Sequence, residues 1–330
     1  MNTEIAIEPT LKLSEDTQTR LCCPVCNSSL EFNQTSLKCK NSQCQAHFPV
    51  INGIPILIDE TTSVFAIADY ANPDNLVLKP KSKLERLSID LVPSITLNLC
   101  GKKNYQKLTK LLQQQTEKPR VLIVGASIEG QGIQPLLSAA NFDLVEVDVA
   151  FGERIGAICD LHSLPFADET FDAVVVQAVL EHVADPFRCV EEIYRVLKPN
   201  AIVYAETPFI AQVHLGKYDF TRFTPLGHRR LFRKFDEIIS GLAGGPGVAL
   251  AWTYQYFLLS FVKHSISRAV VKVFARLTSF WLIYFDYLLV NQPGSYDAAF
   301  GCYFLGRKSD RVLSDRELLK QYKGTQTSSF

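Results

Sequence analysis

Val121-Leu122-Ile123-Val124, then Gly125-Ala126-Ser127-Ile128-Glu129-Gly130-Gln131-Gly132, then Leu144-Val145-Glu146-Val147-Asp148 read as strand, turn, helix and strand. A short continuous apolar run marks a strand of a parallel sheet covered on both faces. Gly125 lets the backbone turn sharply enough to approach a ligand. Asp148, at the tip of the second strand, can accept hydrogen bonds from a ribose. Asp160 follows Ala157-Ile158-Cys159 at the expected end of a third strand, where an adenine amino group could be met. The three places together describe a pocket for an adenosine-containing cofactor. The glycines alone are weaker testimony, because Ala126-Ser127 stands where G-x-G-x-x-G has its second glycine, and an ordinary βα turn fits them equally well.

The chain around this stretch has 330 residues, 47% of them hydrophobic, enough for a full α/β core and a smaller domain besides. Its 34 basic and 34 acidic residues balance, which argues against nucleic acid as the partner, a local patch excepted. Met1 to Glu8 has neither a basic n-region nor an apolar h-region, so no secretory signal is expected and a cytoplasmic location is. In that compartment nine cysteines read as thiols or metal ligands, not as a disulfide framework.

Four of the nine are grouped. Cys23-Pro24-Val25-Cys26 and, a hairpin's length later, Cys39 and Cys44 have the C-x2-C and C-x4-C spacing that lets four thiolates converge on one structural zinc ion. Cys22 or His47 could each replace one of them. A segment this short buries too little apolar surface to fold without the metal. Phe48-Pro49-Val50-Ile51 and Ile54-Pro55-Ile56-Leu57-Ile58 then flank Asn52-Gly53, the signature of a tight hairpin. From about residue 21 to 58 the text resembles the small zinc-ribbon partner protein that activates several RNA and protein methyltransferases, a module also found fused to methyltransferase domains. The resemblance implies a structural or partner-binding ribbon, since four cysteines leave no open position for a reacting water.

Loop text, Asn72-Pro73-Asp74 and Lys79-Pro80-Lys81, fills a connector long enough to tether the ribbon with some freedom. Tyr105 to Gln115 has helical spacing with Leu108, Leu111 and Leu112 on one face. From Pro119 strand and helix patterns alternate, which predicts a parallel sheet. Leu164-Pro165-Phe166-Ala167-Asp168-Glu169-Thr170-Phe171-Asp172 leads into the strand Ala173 to Gln177, and Val179-Leu180-Glu181-His182-Val183 into a helix ending Glu192-Ile193-Tyr194-Arg195-Val196-Leu197-Lys198-Pro199.

That text, Cys159 to Pro208, resembles the class I S-adenosylmethionine-dependent methyltransferases. The resemblance implies a Rossmann-like, seven-stranded, mostly parallel sheet with helices on both faces. It further implies that Gly125 and Ala126 contact the methionine end of S-adenosylmethionine, Asp148 its ribose, Asp160 and Leu161 its adenine, and that Gln177 lines the methyl donor. Asn200-Ala201 stands in place of a customary Gly-Gly. Asp172 reads as a structural acid at a strand start. Glu181 and His182 could polarise a substrate hydroxyl or merely contact cofactor or cap a helix.

Past the fifth strand, residues 208–224 form a loop dense in His, Tyr, Asp and Arg, placed outside the carboxyl ends of the strands where ligands bind in such sheets. His214 and Asp219, with His182, are the candidate acceptor bases, and Arg222 could fork onto a carboxylate or phosphate. Arg229, Arg230, Arg233 and Lys234 make one helix face basic. Val248 to Val262 is uncharged but too short to span a bilayer. Arg268, Lys272 and Arg276 then recur every four residues, so 248–290 predicts a helical pair that is a lid, a dimer face or a peripheral membrane contact.

The expected organisation is a flexible tail (1–20), a ribbon (21–60), a connector with a helix (61–118), a methyltransferase domain (119–310) with a helical insertion (248–292) before its last strand, and a polar tail (311–330). The expected function is methyl transfer to a small or lipid- or glycan-linked hydroxyl compound, the ribbon being available to a protein partner. RNA or a translation protein as acceptor, and a non-catalytic scaffold, are the rivals.

Overall fold

The computed structural model describes residues 11–33, 35–71 and 92–325. Expectations for residues 1–10, 72–74, 79–81 and 326–330 lie outside them. Eleven strands form one sheet: β1 (Leu30–Asn33), β2 (Ser36–Cys39), β3 (His47–Ile51), β4 (Ile54–Leu57), β5 (Arg120–Val124), β6 (Asp143–Asp148), β7 (Ala157–Cys159), β8 (Phe171–Gln177), β9 (Leu197–Pro208), β10 (Phe235–Gly244) and β11 (Gly301–Lys308). Their order is β1-β2-β3-β4-β7-β6-β5-β8-β9-β11-β10.

The expected seven strands are the run from β7 to β10. β5 is central because its five residues, Arg-Val-Leu-Ile-Val, pair in parallel with both β6 and β8, and Val121 and Leu122 are fully buried between them. β11 lies antiparallel between β9 and β10.

Two differences concern what surrounds this sheet. First, cover by helices is uneven. Helices Gly101–Gln115 (α1), Pro186–Val196 (α2) and Pro225–Leu231 (α3) pack on the sheet, but the β6–β7 and β7–β8 connections carry none. Loops 149–156 and 160–170 do that work with Phe151, Ile155, Leu164 and Phe166, all buried.

Second, the ribbon is not a tethered module. Asn52 and Gly53 take φ of 53° and 77°, the left-handed pair that closes the β3–β4 hairpin. β4 then joins the main sheet in parallel with β7, with Ile56 opposite Ile158 and Leu57 opposite Cys159. All four residues of β4 are buried because both of its faces are covered. The parallel edge at β7, an open row of backbone donors and acceptors, is thereby closed.

Residues 11–20, expected in a tail, also pack here. Leu11 and Leu13 are buried, and Lys12 N–H donates to Gly53 O (2.9 Å). At the other end Asp315–Leu319 is helical, Leu318 is buried, and Asp315 meets Arg230 at 3.1 Å. The insertion between β10 and β11 holds Pro246–Leu259 (α4) and Ser265–Ser279 (α5).

Because Ile56 is fully buried in the joining strand, Ile56→Ala should cost about 2–5 kcal/mol in denaturant unfolding. Far- and near-ultraviolet dichroism should report one shared transition. A separate early ribbon transition would contradict the docking.

Candidate functional site

The glycine turn is shaped by its neighbours. Gly125 adopts φ of +76°, and a Cβ on it would stand 2.4 Å from Val179 Cγ2, so the position excludes other residues. Gly125 and Ala126 both give their N–H groups to Val147 O (2.9 and 3.2 Å). Gly132 serves packing instead: its Cβ would lie 2.5 Å from Lys102 N at the start of α1. The turn, Tyr105 of α1 and Gln177 of β8 line one cleft at the carboxyl end of β5.

Asp148 stands beside that cleft. Its carboxylate accepts from Ser127 N–H (2.8 Å) and Ala150 N–H (3.0 Å), which fixes the turn and the loop after β6 together. Each oxygen keeps a lone pair for a ribose hydroxyl. Gln177 is held from both sides: Tyr105 O–H donates to its Oε1 (2.9 Å), and its Nε2 donates to Glu206 Oε2 (2.9 Å). Glu206, buried at the end of β9, also accepts from Asn98 (2.9 Å) and from the Tyr204 hydroxyl. Burial pushes its carboxyl up, and these donors only partly offset it.

Asp160 is more enclosed than its expected adenine contact suggests. His162 gives N–H (2.9 Å) and Nδ1–H (2.5 Å) to one oxygen, and the Ser63 hydroxyl reaches the other (2.5 Å). Burial raises this carboxyl, but these hydrogen bonds outweigh it and hold it below its ordinary value. Leu161 is buried beside it. Ser63 belongs to the segment after β4, where Tyr70 O–H donates to Val149 O (2.8 Å) and its ring meets Phe151 edge-on. The ribbon's exit thus lies over the carboxyl ends of β6 and β7, a place that no local pattern in residues 59–71 announces.

On the other side of Gln177 the chain turns through Ala178, at φ of 55°, to Glu181. Glu181 is 1% exposed, and among the described residues neither carboxylate oxygen has a hydrogen-bond donor. Burial pushes its carboxyl up to about 8. His182 Nε2 lies 3.7 Å and His214 Nε2 3.9 Å from Glu181 Oε1, and the two imidazoles meet edge to face at 4.8 Å. The expected bases His182 and His214 are therefore brought together, around an acid.

Asp219 is placed otherwise. Its carboxylate pairs with Arg222 (Nη2 at 2.8 Å) and accepts His214 N–H (2.9 Å). Although burial raises it, the Arg222 hydrogen bonds hold it down at about 2, so it is a poor proton acceptor and instead orients the His214 loop. Arg222 spends its remaining donors on Ala211 O and Gln212 O (2.9 and 3.0 Å), not on a ligand. Asp172 accepts from Arg120 N–H and Lys198 Nζ (2.8 Å each), a structural acid.

At the ribbon, Cys23 and Cys44 sulfurs lie 3.8 Å apart and Cys26 and Cys39 3.5 Å apart, all four within 4.8 Å. A tetrahedral zinc with ~2.3 Å bonds spaces its sulfurs by about 3.8 Å, so this donor set fits. Hydrogen bonds from Ser28 hold the Cys26 thiol below its ordinary value, whereas burial pushes Cys23 and Cys39 up. Cys22 turns away to Asn27 (3.9 Å), and His47 is exposed; neither belongs to the group.

Comparison with known proteins bears on the same residues. Residues 129–205 match the methyltransferase domain family. Cycloartenol-C-24-methyltransferase 1 of Oryza sativa subsp. japonica is 34% identical over 100 residues, 24% of this chain and 28% of that protein. The ubiquinone/menaquinone biosynthesis C-methyltransferase UbiE of Haemophilus ducreyi is 34% identical over 146 residues, 42% and 51%. Demethylmenaquinone methyltransferase of Lactiplantibacillus plantarum is 39% identical over 109 residues, 31% and 45%. The chain thus spans about half or less of these relatives.

Among solved structures, a chain of the complex between the Haloferax volcanii Trm112 methyltransferase activator and a methyltransferase aligns at 15% identity, with a TM-score of 0.39, over 63% of this chain and 92% of that one. Phosphoethanolamine N-methyltransferase 2 of Haemonchus contortus aligns at 17% identity, with a TM-score of 0.39, over 63% and 53%. Residues 129–205 are thus similar to the methyltransferase domain family, and they lie in a sheet of order β7-β6-β5-β8-β9-β11-β10 behind the turn built on Gly125.

Proposed function

We propose that the protein transfers a methyl group from S-adenosylmethionine to a hydroxyl of a lipid-linked acceptor at a membrane surface. The observation that carries this reading is the group of buried Glu181, half-buried His182 and exposed His214, gathered beyond the end of the same strand, β8, that supplies Gln177 to the cleft. When bound, S-adenosylmethionine supplies a methyl group on a sulfonium that leaves as the demethylated thioether. The acceptor oxygen must lose its proton as it takes that methyl group. Burial lowers the His182 imidazolium below its usual value, so the ring stays neutral and its Nε2 lone pair faces Glu181. Alignment of the two substrates supplies most of the remaining acceleration.

The lipid assignment rests on the helical insertion. α4 grips the acceptor loop: Tyr256 O–H donates to Val213 O (3.0 Å), Gln212 Nε2 to Thr253 Oγ1 (3.0 Å), and Trp252 approaches the His214 ring at 6.4 Å. Outward the insertion presents Phe257, Phe261 (73% exposed), Ile266, Val270, Phe274, Trp281 and Leu288 (74%). Such an array on a monomer marks an interaction surface. No helix among the described residues is long and apolar enough to cross a membrane; the contact proposed is interfacial.

The basic stripe expected on α5 is partly consumed internally. Arg268 donates to Leu259 O and Val262 O (3.3 Å each) and Arg276 to Gln255 (3.3 Å), so Lys272 and Lys263 are the exposed cations. Attachment accordingly depends more on apolar side chains than on charge. The relatives' names cite cycloartenol and ubiquinone/menaquinone biosynthesis, with the methyl group placed there on carbon.

Titration calorimetry should show saturable binding of S-adenosylmethionine and of its demethylated product. Asp148→Ala should weaken both about tenfold or more, the scale of a lost hydrogen bond to a charged group at ~1.5–3 kcal/mol. Absence of binding by the unaltered protein would favour the scaffold. We infer further that the four cysteines hold structural zinc: Cys39→Ser should lose one zinc equivalent by elemental analysis and lower the melting temperature. The protein should float with neutral phosphatidylcholine vesicles at low and high salt alike, and Phe261→Ser with Leu288→Ser should leave it in the pellet. Flotation unchanged in that double variant would remove the membrane reading.

A further inference from the structure

Glu181 poses a physical problem that methyl transfer alone does not explain. A carboxylate at 1% exposure ordinarily has donors, because burying one without them costs several kcal/mol. Here both oxygens lack a hydrogen bond among the described residues, although two imidazole nitrogens stand 3.7 and 3.9 Å from one of them. Those distances are too long for a hydrogen bond and too short for an intervening water.

The histidines are set up as ligands. His182 Nδ1 lies 2.8 Å from Tyr218 O, a carbonyl that can only accept, so Nδ1 carries the proton and Nε2 a lone pair. His214 Nδ1 lies 3.3 Å from Gln212 O and 3.5 Å from Asp219 Oδ2, both acceptors, and its Nε2 likewise faces Glu181. A ring nitrogen given to a carbonyl or carboxylate while the other points inward is the usual arrangement around a bound metal. Asp219 is in turn fixed by Arg222 (2.8 Å), which also neutralises that cation beside the group.

All three donor atoms lie within 4.8 Å of one another. Around one ion with bonds of ~2.1 Å, two such ligand atoms stand about 3.0–3.4 Å apart, so closure asks for about half an ångström between Glu181 and each histidine and up to about 1.5 Å between the two imidazole nitrogens. His214, on a loop and 31% exposed at its side chain, can supply it.

We propose that Glu181, His182 and His214 bind one divalent transition-metal ion beside the cofactor cleft, and that the acceptor oxygen is its further ligand. Two imidazoles and one carboxylate suit manganese, iron, cobalt or zinc, and disfavour magnesium and calcium, which take oxygen donors. Three protein ligands leave positions open for the acceptor. A hydroxyl on such an ion loses its proton to water near neutral pH, and the oxygen then attacks the methyl carbon as the carbon–sulfur bond breaks. The ion at once neutralises Glu181 and replaces a dedicated general base. The site is separate from the ribbon, whose four thiolates favour softer, tetrahedral zinc.

The inference rests on the methyltransferase reading, and its test is independent of catalysis. Mn2+ is titrated into the full-length protein with its ribbon zinc in place, and free Mn2+ is followed by electron paramagnetic resonance. The unaltered protein should bind one Mn2+ per chain. His214→Ala and Glu181→Gln should each weaken that binding at least about tenfold while S-adenosylmethionine affinity is retained, which shows that the variants are folded. No saturable Mn2+ uptake, or uptake unchanged in both variants, would overturn the metal site and mean that Glu181 is simply a protonated acid beside His182. A protein that binds S-adenosylmethionine but no Mn2+ refutes this inference alone; one that binds Mn2+ but no S-adenosylmethionine refutes the methyltransferase reading alone.

Discussion

Two opposed residue pairs, Ile56 with Ile158 and Leu57 with Cys159, join the ribbon to the edge of the parallel sheet, and much of the site's geometry follows from that short ladder. Once β4 lies beside β7, the chain leaving it must emerge at the carboxyl ends of the strands, since parallel neighbours end on the same side. Residues 59–71 therefore lie over Asp160 and the loop after β6, the place where the resemblance expects the cofactor's nucleoside. Asp59 anchors this exit by accepting from Thr61 N–H (3.0 Å) and its hydroxyl (2.7 Å). Ser63 then reaches Asp160, and Tyr70 seals the loop after β6.

The central sheet was legible because β5 and β8 are buried on both faces and so read as apolar runs, with β6 beside them broken only by Glu146. The four cysteines were legible because metal geometry constrains their spacing. The docking of β4 left no such trace: Ile54 to Leu57 reads equally as the second arm of a free hairpin, and its partner lies about a hundred residues away. The same limit applies to the site. His182 and His214 were recognisable by residue type, but the role of Asp219 depended on whether Arg222 pairs with it, which only the folded loop decides.

Side-chain partners also explain why a stripe of basic residues was misleading on α5. Arg268 and Arg276 repeat with helical period, yet they turn back on the end of α4 and on Gln255, where carbonyls at a helix C-terminus attract cations. Periodicity predicts the face a residue occupies; it does not predict whether that face meets solvent or a neighbouring helix. The aromatic residues that remain outside, Phe257 and Phe261 among them, define the surface instead.

The ribbon and the acceptor side are physically continuous. Phe65, just past the ribbon, stacks on Tyr218 with ring centres 5.3 Å apart. The carbonyl of that same Tyr218 accepts from His182 Nδ1 and so decides which nitrogen of His182 faces Glu181. The N–H groups of Phe220 and Thr221 close the circuit by donating to Glu181 O (2.8 and 3.2 Å). The four-cysteine cluster thus connects to the Glu181, His182 and His214 group through one ladder, one stacked pair and one carbonyl. In that arrangement the segment leaving the ribbon, through Phe65 and Tyr218, holds the carbonyl that accepts from His182 Nδ1.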